Sequence, residues 1–190
     1  MEKWRDKFRV ATVRLQHYDY TTNGVYFITI CTHHHRYLFG ECNDGQMTLS
    51  TIGAIAQGFW YEIPKHFAFV TLGEFVVMPN HLHGILILDT PPIEKLHRNV
   101  CIPAPPKNEF FSNISPKANS ISTIVRSYKS ICSKHINPAF PQQDFKWQTR
   151  FYEHIIRSEH SYEKIANYIL NNPLAWEEDK LYNPTSHLPP

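Results

Sequence analysis

The 190-residue chain has four cysteines, Cys31, Cys42, Cys101 and Cys132, and no Cys-x-x-Cys pair among them. That scatter excludes a zinc knuckle and a disulfide framework, and it fits reduced thiols in the cytoplasm. No apolar run approaches the roughly 20 residues that a membrane-spanning helix needs. The opening MEKWRDKFRV lacks the apolar stretch of a secretory signal, so a cytoplasmic protein without a membrane partner is expected. A large charge of one sign is missing too. The formal net charge is +2, so bulk charge makes no case for nucleic acid. No internal repeat interrupts the chain.

What is present is an ordinary apolar content of 42%, enough for one domain with a full core. Charge is distributed unevenly. Residues 1–36 carry Lys3, Arg5, Lys7, Arg9, Arg14 and Arg36 against Glu2, Asp6 and Asp19, and residues 1–22 read as a basic arm. Residues 24–32, GVYFITICT, alternate like a strand. Asn43-Asp44-Gly45 marks a hairpin turn. Residues 51–61 have helical spacing, with Ser50 or Thr51 as cap and Pro64 beyond the end. Residues 70–78 and 81–88 read as strands joined at Pro79-Asn80. Six prolines between 89 and 118 mark a surface excursion. Residues 121–136 form an amphipathic helix with a stripe of Ile121, Ile124, Val125, Tyr128, Ile131 and Cys132. A strand over 147–157, a helix over 163–172 stopped by Pro173, and a polar tail over 174–190 complete a single α+β domain.

The stretch VVMPNHLHGILIL carries the chemistry. Side chains two apart on a strand share a face, so His81 and His83 stand side by side, roughly 6.5–7 Å apart along the chain, while Leu82 points to the core. Both imidazoles can converge on one metal ion. The spacing alone also allows two histidines hydrogen-bonded to solvent or backbone. The run His33-His34-His35 reads as a solvated loop.

VVMPNHLHGILIL resembles the His-hydrophobe-His motif of single-tyrosine HUH transposases, within them the REP-associated tyrosine transposases and related insertion-sequence enzymes. RLQHYDYTTNGVYFITICTHHHRYLFGE and WQTRFYEHIIRSEHSYEKIANYILNNPLAW resemble the same family. The likeness runs from about Arg9 to Trp176 and leaves out the proline-rich excursion. It implies a ferredoxin-like antiparallel sheet with flanking helices, the histidine strand near its centre and a C-terminal helix carrying the nucleophile. It also implies metal-assisted cleavage and joining of single-stranded or hairpin DNA, in which a tyrosine forms a 5′-phosphotyrosine and frees a 3′-hydroxyl. Members differ in whether the tyrosine acts within one subunit or across a homodimer.

The family places its tyrosine in a pattern resembling Y-x-x-x-(Asn or Gln), here Tyr168 to Asn172. At about 100° per residue, Tyr162, Ile165, Ala166, Ile169 and Leu170 define an apolar helix face. Tyr168 and Asn172 lie about 40° apart on its rim. By geometry alone Tyr168 can equally be an aromatic that packs the rim. Tyr128 and Tyr162 sit on buried faces, and Tyr152 lies in a scaffold strand. The resemblance implies Asn172 as third ligand beside His81 and His83, with Asn171 as alternative. Many insertion-sequence members have glutamine there. Magnesium or manganese is the implied ion, although imidazoles also suit zinc or nickel. No base for the tyrosine is evident in sequence. Arg126, Lys129, Arg150 and Arg157 are candidate phosphate contacts, and Trp147 or Phe151 candidate base stackers. The alternatives are a domesticated, non-catalytic DNA-binding protein of the same fold, a metal-storage protein and a rolling-circle initiator.

Overall fold

The computed structural model describes residues 23–89 and 119–182, with the backbone of two short paired strands, Lys3–Trp4 (β1) and Lys7–Phe8 (β2). Most of the basic arm, the proline-rich run from 90 to 118 and the end of the tail lie outside the described residues.

Strict alternation builds Gly24–Cys31 (β3), which sends Tyr26, Ile28 and Ile30 to one face and Phe27, Thr29 and Cys31 to the other. A hairpin of Gly40–Asn43 (β4) and Gln46–Leu49 (β5) follows, and its turn residues Asp44 and Gly45 both take positive φ. Helix Thr51–Tyr61 (α1) starts at Ser50, whose hydroxyl accepts the Gly53 N–H at 3.0 Å. The one-turn helix Ile63–His66 (α2) holds Pro64 in its first turn, where no N–H is needed. Val70–Val77 (β6) and His81–Leu88 (β7) form the expected pair. Ile121–Ala139 (α3), Tyr152–Ile156 (β8) and Glu159–Asn171 (α4) complete the domain.

The sheet order is β6-β7-β3-β8, antiparallel throughout. With α1 and α3 as the crossovers, this is the ferredoxin-like arrangement, and β7 occupies a central position. The main core lies between one sheet face and α1 plus α3, where Ile28, Ile30, Leu82 and Leu86 meet Trp60, Ile124 and Tyr128. The other face holds Phe27, Ile85 and Ile156 against Ala166 and Ile169 of α4.

Three features differ from the sequence reading. Helix α4 begins at Glu159 rather than 163, because the Ser158 hydroxyl accepts the Ser161 N–H and supports an earlier start. Leu170 is 61% exposed, so the apolar face of α4 is narrower than its composition suggests. The last strand contracts to five residues, and Trp147 forms only an isolated bridge with Thr32. The Trp147 ring packs on Phe39, Phe145 and Tyr128, and its Nε1–H donates to Lys129 O. Those contacts pack the half-buried Trp147 ring against the core and occupy its indole N–H. Among the described residues, no helix is long and apolar enough to cross a membrane.

Candidate functional site

β7 and α4 bring the sequence-predicted residues together on the α4 side of the sheet. His81 and His83, buried at the start of β7, face each other with Nε2 atoms 3.0 Å apart. Their Nδ1 atoms are held from behind. His81 Nδ1 meets Asn80 Oδ1 at 2.7 Å, while Asn80 Nδ2 donates to Leu181 O at 2.8 Å. With its amide nitrogen so used, Asn80 offers an acceptor, so His81 carries its proton on Nδ1 and keeps a lone pair on Nε2. His83 Nδ1 meets the Thr29 hydroxyl at 2.8 Å across the β3–β7 pairing. Such partners orient imidazoles for ligation.

Tyr168 projects from α4 with its hydroxyl 3.1 Å from His83 Nε2. It is 45% exposed, and the same hydroxyl donates to Asp179 Oδ2 at 3.0 Å. Asn172, 2% exposed at the end of the helix, donates Nδ2 to the same carboxylate oxygen at 3.0 Å. Leu181 N–H fills Asp179 Oδ1 at 2.7 Å. Asp179 escaped the sequence reading, which placed it in a polar tail. Residues 176–178 instead form a 3-10 turn anchored by buried Trp176, whose ring lies 5.9 Å from that of His81. The turn carries Asp179 back onto the site. The sequence signal was slight: a Glu177-Glu178-Asp179 run just beyond Pro173.

Burial lowers the His81 pKa well below its ordinary value, and repulsion from His83 and then His35 adds to this. His83 falls to about 4, again through burial, with Asp179 opposing. Both rings are therefore neutral at pH 7 and can act as ligands. Tyr168 is shifted upward, first by burial and then by the charge and hydrogen bond of Asp179, with Asn172 opposing.

The donor set fits a divalent ion. Two Nε2 lone pairs 3.0 Å apart can share an ion at the usual metal–imidazole distance of about 2.0–2.1 Å. His81, His83 and Asp179 place their ligand atoms within 4.8 Å of one another. Asn172 Oδ1 is buried without a hydrogen-bond partner, a vacancy that a cation would satisfy.

A cleft of about 1300 Å³ opens from this cluster, lined by His83, Tyr168, Asp179, Arg126, Lys129 and Arg150 among others. Lys129 is already committed. Its Nζ donates to Gln148 O at 2.7 Å and Arg150 O at 3.1 Å, and burial lowers its pKa to about 8. Arg157, past the far end of β8, is not among the residues lining this cleft.

No model of a known protein family matches the chain. An uncharacterized protein of Haemophilus influenzae is 39% identical over 173 residues, covering 90% of this chain and 92% of that one. Among solved structures, a REP-associated tyrosine transposase bound to a REP hairpin aligns over 89% of this chain and 77% of its own, at TM-score 0.55 and 19% identity. At that identity the likeness establishes the shared fold, an antiparallel sheet with flanking helices.

Proposed function

The chain belongs to the family of that uncharacterized Haemophilus influenzae protein, and we propose that it is a transposase-like enzyme that cuts and rejoins single-stranded DNA through Tyr168. One observation carries this reading: the Tyr168 hydroxyl lies 3.1 Å from His83 Nε2, which is itself 3.0 Å from His81 Nε2. A nucleophile and two neutral imidazoles thus converge at the end of one cleft.

His81, His83 and Asn172 would hold the metal, with Asp179 beside them. The bound ion, magnesium or manganese, would polarise the scissile phosphate as a Lewis acid. Tyr168 Oη attacks phosphorus, its proton passes to Asp179 Oδ2, and the P–O3′ bond breaks. The departing 3′ oxygen takes up a proton from solvent water, leaving a 5′-phosphotyrosine and a free 3′-hydroxyl. The hydrogen bond from the Tyr168 hydroxyl to Asp179 Oδ2 supports Asp179 as the base, which a phenol whose pKa the site raises above its ordinary value of about 10 needs. Asn172 and Leu181 each donate to that carboxylate and hold its geometry. Reversal by another 3′-hydroxyl rejoins strands, because the bond energy is retained in the phosphotyrosine. Hairpin DNA with a single-stranded flank is the proposed partner, by analogy with the REP hairpin bound to the structural relative.

Tyr168→Phe removes one oxygen from a half-exposed ring, so its fold should persist while cleavage of a hairpin oligonucleotide disappears. Peptide mapping of the trapped adduct should place the DNA on Tyr168. An adduct on another tyrosine would refute the assignment, and DNA binding without any cleavage by the unmodified protein would favour a domesticated, non-catalytic relative.

A further inference from the structure

An exposed tyrosine that the reaction above does not use lies beside the nucleophile. Tyr152 opens the edge strand β8 and is 48% exposed. Its register partner is Thr29, the residue that holds His83. Tyr152 packs edge-wise on Phe27, with centroids 6.2 Å apart and planes at 69°. Tyr168 packs on the same Phe27 ring, also at 6.2 Å, with planes at 80°. Phe27 in turn lies 5.3 Å from the His83 ring. One buried phenylalanine therefore supports the candidate nucleophile, a candidate ligand and a second open aromatic surface.

That surface lines the same cleft as Arg126 and Arg150. Guanidinium groups suit a phosphate backbone, and an aromatic ring held from below offers a π-face to a base. Tyr26 on the neighbouring strand points to the opposite sheet face and is fully buried in the main core. Tyr152, at the start of the edge strand, is left about half open beside the site.

We propose that Tyr152 is the stacking platform for the unpaired base flanking the scissile phosphate. This deepens the proposed DNA-cleaving function and rests on it. The ring supplies position and affinity, and Tyr168 supplies the bond-forming oxygen. Because every base has a π-face, the platform accepts any of the four and contributes little sequence preference.

The test is a two-by-two cycle on the full chain with magnesium present. The probe is a hairpin oligonucleotide with a short oligothymidine flank, intact or with an abasic site moved one position at a time along the flank. Binding is read by fluorescence anisotropy and turnover by single-strand cleavage. Tyr152→Ala should weaken binding of the intact probe roughly tenfold, the scale of one base on an aromatic ring. Tyr152→Phe keeps the ring and should bind like the unmodified protein. One abasic position should weaken the unmodified protein by a similar factor, yet cost Tyr152→Ala little more. Losses that simply multiply at every position, or a Tyr152→Phe protein as weak as Tyr152→Ala, would overturn the assignment while leaving the DNA-cleaving reading in place. If the unmodified protein neither binds nor cuts the probe, both readings fall.

Discussion

Two uncharged imidazoles inside a protein are a liability in acid, and His81 and His83 have an environment that makes this measurable. Burial holds the His83 pKa near 4 and that of His81 well below its ordinary 6.5. In the unfolded chain both would titrate near 6.5. Between pH 6.5 and 4 the unfolded state therefore binds more protons than the folded state, and stability must fall as pH falls. The contribution is complete above pH 6.5 and fades toward pH 4. Thermal melts of chelator-treated protein should show a falling midpoint across that window, and His83→Gln should fall less steeply, since one of the two groups is gone. An equal slope in the variant would mean that other residues dominate the acid response. At the same scale, Asp179 pairs with Tyr168 and Asn172 through one oxygen. That shared oxygen ties the geometry of the candidate nucleophile to that of a candidate ligand.

The histidine strand reaches its place through a residue that contributes no side chain. On β7, His81 and His83 face α4, while Leu82, Gly84 and Leu86 face α1 and α3. A Cβ on Gly84 would come within 2.3 Å of Trp60 Cζ2. The indole has little freedom to yield. It stacks on Phe75 with centroids 4.7 Å apart and planes at 7°, and it meets Tyr128 edge-on at 5.4 Å. Gly84→Ala should therefore cost about 1–3 kcal/mol of stability through overpacking. Because the displaced strand carries His83, cleavage should decline with it. Urea denaturation checks the first effect, and a midpoint unchanged from the unmodified protein would show that Trp60 can move aside.

Across the molecule, legibility followed period and locality. The strands over 24–31 and 81–88 were readable from short runs rich in apolar and β-branched residues, which β7 buries on both faces, and α3 from its apolar stripe. Tyr168 and Asn172 stood out only through the family resemblance, since helical spacing alone left Tyr168 as a rim aromatic. Asp179 was not readable, since a 3-10 turn pinned by Trp176, with no periodic signal, returns it to the site. Leu170 misled because an apolar residue at a helix end need not meet the sheet. Charge was legible only in part. With a net charge of +2, any attraction to DNA has to come from where the cations sit. Arg126 and Arg150 line the cleft, Lys129 lines it while tied to two backbone carbonyls, and Arg157 is not among the lining residues. A single strand neutralised by Z cations loses affinity with a slope of about −0.7Z in log K against log salt. Arg126→Ala should therefore flatten the salt dependence of oligonucleotide binding by about 0.7, whereas Arg157→Ala should leave it unchanged. Anisotropy titrations at several salt concentrations separate the two. If Arg157 flattened the slope and Arg126 did not, the strand would have to run past the far end of β8, away from the cleft that holds Tyr168.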